Sequence, residues 1–517
     1  MKKISFLACL AFAFVNISMA NNLTISSIVV NQPVSPAAPG GTVSFNVAWD
    51  NSWNIAAAPS NWDAIWVFVK FKDCAAASSA AYTHGTINAT TANHTFGSLD
   101  AMTTGDGATP SASTGSAVQG AALDYSGLTG IMLRRNTSGS GSYSSSVTLT
   151  IDNLPNDATT LTTSVYGIEM VYVPNGAFSA GDGNGVGGSN SISHFTSSAS
   201  ATVGPYSVAA ANETAISTFY VSTPSTLANV PAAWPKGVYG FYMMKHEISQ
   251  GMYAEFLNNL GLASAAQIAR NLANVGTNRN QTQLVGSTFV STRPERAQNW
   301  MAWSDVSAFL DWACLRPLTE LEYEKAARGV AAMVTDEYPW GMAAGSISVA
   351  NTFAAPAVEI GTETVTGGNA IYTGFNWANG DGGSGPCRVG ILATAVSTRQ
   401  TAGAGYYGAL ELAGNVMEFY IGMHTTAATN AFTRVWGNGS VTAAGIHDVA
   451  GGWPASAYAS VAGFVNNTVI GRGGAWADPV NNNHVAIRLQ TSDRYYASSA
   501  NLVAGTRYSS TGGRGGR

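Results

Sequence analysis

The cysteines are the side chains of this sequence most capable of covalent or redox chemistry. Of four cysteines, Cys74, Cys314 and Cys387 remain once the leader described below is removed. A thiolate is a nucleophile and a ligand for soft metal ions. These three lie far apart and form no CxxC pair, which excludes a cysteine zinc site and a disulfide framework. Cys314 follows an apolar stretch and is interpreted as a small buried apolar residue.

The seven histidines are the next candidates for metal or acid–base chemistry. None of them forms an HxxxH or HxxE pattern, so no helix-borne pair of metal ligands is predicted. A metal site built from residues distant in sequence remains open. His246, which precedes Glu247, is interpreted as a surface or hydrogen-bonded histidine.

The first twenty residues have the pattern of a secretory leader. Lys2 and Lys3 precede the apolar run 4–15, and small residues end at Ala20. This order predicts a signal peptide over 1–20 with cleavage after Ala20. We therefore expect a secreted, extracellular or cell-surface protein, with no later apolar run long enough to span a membrane.

The chain carries unusually few charges. Asp, Glu, Lys and Arg make up 10% of its 517 residues, and the formal net charge is −5. A typical soluble domain has about a quarter charged residues. Because no basic run is present, nucleic acid is not expected as a partner.

Residues 21–163 read as β structure. Apolar residues alternate over 42–49, and 62–71 is rich in aromatic and β-branched residues. Gly-, Ser- and Thr-rich stretches separate these short strands, a pattern typical of antiparallel sheets. We therefore predict an N-terminal antiparallel β-sandwich.

Residues 164–517 read as a second, loop-rich unit with few helices. Helical spacing predicts helices over 248–260 and 303–313. Thr319 and Glu322 form a capping-box pattern for a third helix, and Gly329 is placed to end it. The fold class predicted for the whole chain is α+β.

Seven segments of this second unit, in order, resemble the formylglycine-generating-enzyme or sulfatase-modifying-factor family. They are MVYVP (170–174), FYMMKHEIS (241–249), WSDV (303–306), LRPLTELEYEKAARG (315–329), YPWG (338–341), LAGNVMEF (412–419) and RGGAW (472–476). The resemblance implies the irregular C-type-lectin-like fold of that family over 164–517.

The resemblance also implies a copper site, which this sequence departs from. The family's enzymes hold copper with two cysteine thiolates just after the segment that matches RGGAW. Here Asp478 stands at the first position and Asn483 near the second, and no cysteine follows Cys387. Carboxylate and amide oxygens do not replace a bis-thiolate Cu(I) site. Copper and formylglycine generation are therefore not expected.

A structural Ca²⁺ is the metal that the resemblance favours. The family's segment matching LAGNVMEF supplies oxygen ligands to calcium, and Asn415 and Glu418 occupy the matching positions. Hard oxygen ligands suit Ca²⁺. The alternative is that both side chains only hydrogen-bond a loop.

The C-terminal stretch is the candidate ligand surface. It combines amide, aromatic and charged side chains of the kind that bind glycans or proteins. The candidates are Asp478, Asn481, Asn482, Asn483, His484, Arg494, Tyr495 and Tyr496. Arg488 and Arg507 are instead predicted to be internal ion-pair partners, and the Gly-rich stretch 508–517 to be flexible or docked.

Together these patterns predict a secreted or cell-surface, non-enzymatic protein that binds a glycan or protein partner, or itself. Two alternatives remain open. One is a structural subunit of an extracellular layer or filament, and the other is a metal-dependent oxidoreductase with an altered site on the same fold.

Overall fold

The structure is a computed structural model of the chain. It describes residues 23–34, 40–77, 80–102, 129–182, 195, 205–208, 215–216, 229–261, 274–343, 345–349, 352–353, 361, 363–372, 376–377, 383–423, 431–449, 452–454, 468–477, 486–497 and 506–517. The predicted leader lies outside these residues.

Strands dominate the described part of the chain. In order they are Thr24–Asn31 (β1), Gly41–Asn54 (β2), Asp63–Asp73 (β3), Thr83–His84 (β4), Leu99–Met102 (β5), Ile131–Arg135 (β6), Gly139–Ile151 (β7), Leu161–Val173 (β8), Phe178–Ala180 (β9), Tyr206–Val208 (β10), Phe241–Met244 (β11), Thr282–Val285 (β12), Thr288–Ser291 (β13), Thr352–Phe353 (β14), Val365–Thr366 (β15), Asn376–Trp377 (β16), Gly383–Ser384 (β17), Met417–Ile421 (β18), Val469–Arg472 (β19) and Thr511–Gly512 (β20). Long loops connect most of the later strands.

Three α-helices occur in the described ranges. Apolar spacing predicted Gln250–Asn259 (α1) and Trp303–Trp312 (α2), and the capping-box pattern predicted Glu320–Arg328 (α3). The capping box of α3 is confirmed, since the Thr319 side chain accepts from the Glu322 N–H and the Glu322 carboxylate accepts from the Thr319 N–H. Gly329 ends the helix with a φ of 68°. None of these helices has the length and apolar character that crossing a bilayer requires.

Two sheets form the N-terminal part. One has the order β1-β2-β7, and the other has the order β11-β8-β3-β6-β5 with β4 beside β3. Alternate residues of β2 (Val43, Phe45 and Val47) share one buried apolar cluster with Val67 of β3 and Leu149 of β7. One face of β2 packs in this cluster and the other face is polar. This arrangement explains why apolar and polar residues alternate along the strand.

Strand β3 is buried on both faces. Ile65 and Val67 belong to the cluster between the two sheets, whereas Trp66 and Phe68 belong to the core around α1 and α2. The Trp66 indole N–H donates to the Ala313 carbonyl at 2.8 Å. A strand covered on both sides needs an uninterrupted apolar run, which 62–71 supplies.

Strand β8 joins the two parts of the chain. It pairs with β3 over 161–171 and with β11 over 170–173. The boundary predicted between residues 163 and 164 therefore falls inside a continuous strand. The N-terminal strands and the motif-bearing part share one sheet.

The stretch 506–517 is docked in the interior. Strand β20 runs parallel to β18, and Tyr242 and Arg517 exchange backbone hydrogen bonds. The Arg517 guanidinium lies 3.9 Å from the Trp66 ring centre and 4.9 Å from that of Trp436. This segment therefore contacts both parts of the chain.

Candidate functional site

Two of the sequence motifs meet at the buried carboxylate of Glu247. Its Oε2 accepts from the Asn415 side-chain amide at 2.5 Å, and its Oε1 accepts from the Val416 N–H at 2.9 Å. Burial, with Glu411 and Glu418 nearby, raises the pKa of Glu247 well above its ordinary value. The segment before α1 and the segment before β18 are thus fastened by one acidic side chain.

Asn415 is held in a strained, fully buried loop. Its φ is 59°, a left-handed conformation that asparagine tolerates better than most residues. Its side-chain oxygen accepts from the Cys387 N–H at 2.8 Å. The preceding Gly414 lies so close to Ile371 that a Cβ would sit 2.5 Å from the Ile371 carbonyl oxygen. Both halves of the Asn415 amide are therefore used inside the protein.

Glu418 is paired with an arginine. Arg514 Nη2 lies 2.5 Å from Glu418 Oε1, and the Tyr420 hydroxyl donates to Oε2 at 2.5 Å. The same guanidinium donates to the Leu410 carbonyl at 2.6 Å. Burial alone would lower the pKa of Arg514, but Glu418 raises it above its ordinary value.

The two predicted calcium ligands, Asn415 and Glu418, already have partners within the protein. The side-chain oxygen of Asn415 and both oxygens of Glu418 already accept hydrogen bonds. Arg514 holds the position beside Glu418 that a cation would take, so the described donors do not fit Ca²⁺ as they stand. Within the ranges that the structure describes, no group of three or more His, Cys, Asp or Glu is arranged to hold a metal ion.

A buried lysine links this cluster to the N-terminal strands. Lys245 Nζ lies 3.1 Å from Glu169 of β8 and 3.3 Å from Asp63 of β3. It also lies 4.7 Å from the ring centre of Trp53. Burial opposes the charged form, but Glu169 and Asp63 together raise the pKa of Lys245. These three buried charged side chains therefore connect strands β3 and β8 to the segment before α1.

His246 is neither on the surface nor hydrogen-bonded, contrary to the interpretation from sequence. It is 4% exposed, and within the described part of the chain neither ring nitrogen has a hydrogen-bond partner. Its Nδ1 lies 3.7 Å from Glu411 Oε2. The cavity that it lines, with Leu23 and Glu169 among others, has a volume of about 10 Å³. A cavity of this size is too small for a substrate.

A second buried network surrounds helix α3. Arg494 Nε lies 2.6 Å from Glu320 Oε2, and Arg472 Nη2 lies 2.8 Å from Glu324 Oε1. Arg472 is the first residue of the RGGAW segment, and all four side chains are buried. Arg472 and Arg494 therefore hold helix α3 in place through the acidic residues on one of its faces.

The matching family covers most of the chain. Residues 162–507 match the sulfatase-modifying factor enzyme 1-like domain. The chain belongs to this family. No curated protein matches it at a significant level.

The family match begins at the start of β8. The N-terminal sheets up to β7 therefore precede the sulfatase-modifying factor domain, but β8 itself is shared. The family match contains all seven segments that carried the resemblance.

Most of the predicted ligand surface of this domain lies outside the described residues. This applies to Asp478, Asn481, Asn482, Asn483 and His484. Arg494 and Tyr496 are each 3% exposed, so these two do not offer a free face to a ligand. Tyr495 is half-buried, and the Arg488 guanidinium stacks 3.4 Å from its ring centre.

The two arginines predicted to be internal ion-pair partners both form ion pairs, but only Arg488 is buried, since the Arg507 side chain is 31% exposed. Arg488 Nη1 lies 3.0 Å from Asp493 Oδ1, and Arg507 Nε lies 2.7 Å from Asp305 Oδ2. Arg514, in contrast, was not foreseen as a partner of Glu418. Its Gly-rich surroundings resemble a mobile tail, and only the docking of 506–517 brings it inside.

The three cysteines form no disulfide in the structure, and Cys314 and Cys387 are buried. Cys314 Sγ lies 3.4 Å from His84 Nε2, a contact that nothing in the sequence indicated. Burial, opposed by Lys70, raises the pKa of the Cys314 thiol to about 11. The thiol is therefore protonated at neutral pH, which suits a packed residue and not a nucleophile.

Proposed function

We propose that this protein is a secreted or cell-surface, non-enzymatic binding or assembly protein built on a sulfatase-modifying factor domain. The observation that carries the proposal is that the acidic residues of the sequence motifs have structural partners inside the protein. Glu247 fastens one loop and Glu418 holds Arg514. Asp478 and Asn483 stand where the copper thiolates of the family's enzymes belong.

We also propose a specific architecture for each of the two parts of the chain. The N-terminal part is a β-sandwich, which the apolar cluster shared by its two sheets supports. The part from 164 has the C-type-lectin-like form implied by its family, and its few helices among long loops are consistent with this. Ligands bind on such a scaffold through loops that a rigid core positions.

The partner that we propose is a glycan or protein at the cell surface, contacted by the segment that contains Asp478, Asn482 and His484. Amide and imidazole groups supply the directional hydrogen bonds that sugar hydroxyls need. A structural Ca²⁺ belongs to the proposal only if Arg514 can leave Glu418 when the ion binds.

Self-assembly into an extracellular layer or filament is the second candidate. The low charge of the chain, 10% of its residues, supports it because like-charged copies repel less. An altered metal site for redox chemistry is the third candidate, and its ligands would include Asp478 and His484.

The first test uses the full chain secreted with its own leader. Mass spectrometry is expected to find an N-terminus at Asn21, because cleavage follows Ala20. A cytoplasmic protein with residues 1–20 intact would contradict secretion.

The second test separates binding from catalysis. A glycan array and copper-loaded turnover of a cysteine-containing peptide are run on the wild-type chain and on Asp478→Ala and His484→Ala. We expect glycan binding that both variants weaken, with no formylglycine product and no stoichiometric iron or copper. Asn438→Ala, in a different segment, is the control. Turnover or a bound redox metal that depends on Asp478 would favour the enzyme.

A further inference from the structure

Arg399 is a half-buried arginine with no carboxylate in ion-pairing distance among the described residues. Its Nη2 donates to the carbonyls of Ala327 at 2.8 Å and Pro339 at 2.5 Å, while its Nε makes no hydrogen bond to any residue that the structure describes. Its guanidinium lies 5.2 Å from the Tyr406 ring centre. The nearby Glu337 is already ion-paired elsewhere.

The environment of Arg399 disfavours its charge. Burial lowers the pKa of Arg399 to about 10, and Glu337 and Tyr406 only partly oppose this. The side chain remains charged at neutral pH. A carboxylate brought to it from outside would recover part of the lost solvation, and such contacts are strongest where water is excluded.

Exposed apolar side chains occur on the chain segment that contacts this arginine and on the arginine's own segment. Nine large apolar side chains are exposed in the part of the chain that the structure describes, and four of them lie on the two segments 330–342 and 394–399. These four are Val330, Val334, Met342 and Val396. Val396, three residues before Arg399, is 89% exposed.

The residues that precede two of these side chains pack against the arginine and its neighbouring tyrosine. Val330 directly follows Gly329, where a Cβ would lie 2.3 Å from the Tyr406 ring. Met342 directly follows Gly341, whose Cβ would lie 2.9 Å from Arg399 Nη1. An arginine and a tyrosine with exposed aliphatic residues on the adjoining segments have the composition of an interface hot spot.

We propose that this surface, defined by Val330, Met342 and Val396 around Arg399 and Tyr406, is a contact between two copies of this chain. The charge balance favours a second copy as the occupant. The chain has 29 acidic and 24 basic residues, so another copy offers surplus carboxylates to the unpaired guanidinium. The proposal deepens the self-assembly candidate above and rests on it, but it does not depend on the segment containing Asp478.

The experiment is sedimentation velocity on the full secreted chain over a wide concentration range, at low and high salt. We expect reversible self-association that high salt weakens, because an ion pair contributes. Arg399→Ala and Val396→Ser are each expected to weaken association roughly tenfold or more, the effect of removing a hot-spot contact. Arg293→Ala, at a half-exposed arginine, and Val285→Ser, at an exposed valine, are the matched controls.

Two outcomes would overturn the proposal: a monomer at every concentration, or association that neither variant weakens. Arg399 also holds two carbonyls, so Arg399→Ala could disturb folding. Val396→Ser removes only an exposed methyl-bearing side chain and keeps the test decisive. Glycan binding by a monomeric chain would leave the binding function standing while ending the self-association proposal.

Discussion

Most of the charged side chains in this protein are buried. More than half of its acidic and basic residues are buried, although such residues are rarely fully buried unless paired. Glu418 with Arg514, Glu320 with Arg494, and Lys245 each belong to a compensated set. The low charge of the chain therefore leaves a surface that is even poorer in charge than the composition indicates.

Removing Arg514 is expected to be costly. Arg514→Ala leaves Glu418 buried without its counter-charge, which lowers the free energy of unfolding by about 3–5 kcal/mol. The measurement is urea denaturation at neutral pH. Asp100→Ala is the control, since the Arg134–Asp100 pair is partly exposed, with side-chain exposures of 16% and 33%. We expect it to cost about 1 kcal/mol or less, and equal losses would contradict the internal role of Arg514.

Asp311 is expected to make stability fall as pH rises. Burial raises its pKa from 3.8 to about 7, although its carboxylate accepts from the Asn438 and Asp448 N–H groups. Because the folded protein binds this proton more tightly than the unfolded chain, the contribution is fully present below about pH 4. It is lost as the pH rises to about 7.

The check is the slope of unfolding free energy against pH between about 4 and 7. Asp311→Asn removes the titrating group, so it should flatten that slope even if it lowers stability at every pH. Asp100→Asn, at a more exposed carboxylate, should leave the slope unchanged. An unchanged slope in Asp311→Asn would show that other groups cause it.

At the scale of elements, the strands that join the two parts have two roles each. Strand β3 gives one face to each of two cores, and β8 pairs with β3 along one stretch and with β11 along another. Helix α3 has a comparable double role. Its cap orders its first turn, while its acidic face holds Arg472 and Arg494.

The N-terminal cap of α3 is expected to make a measurable contribution to the free energy of unfolding. Thr319→Ala removes a hydroxyl that accepts from the Glu322 N–H and donates to the Pro235 carbonyl at 2.9 Å. We expect a loss of about 1–2 kcal/mol in thermal denaturation. Thr319→Ser keeps the hydroxyl and should retain most of the stability. Equal losses in the two variants would assign the effect to the methyl group.

At the scale of the whole molecule, the N-terminal strands and the sulfatase-modifying factor domain form one packed body. The shared sheet, the Lys245 ion triad and the stacking of Arg517 on Trp66 all cross between them. Because β3 gives one face to each of the two cores, the loss of either core exposes part of the strand on which the other core is built.

Unfolding is therefore expected to be a single transition. Ile65→Ala, on the face of β3 toward the sheets, should cost about 2–5 kcal/mol. Phe68→Ala, on the face toward the helices, should cost about 3–5 kcal/mol. Differential scanning calorimetry should show both variants lowering the same transition, with Val29→Ala, at an exposed site, as control. Two separate transitions would mean that the parts fold independently.

The sequence by itself determined the local features. The helix positions, the α3 cap, the β-rich first part and the family membership follow from periodicity and from motifs whose residues are neighbours along the chain. Tertiary structure decided the partners of the charges, because Glu418 and Arg514 are 96 residues apart and Lys245 and Asp63 are 182 apart. It also decided that the predicted boundary at 163 lies inside a strand, since strand pairing depends on which segments meet in space and not on composition.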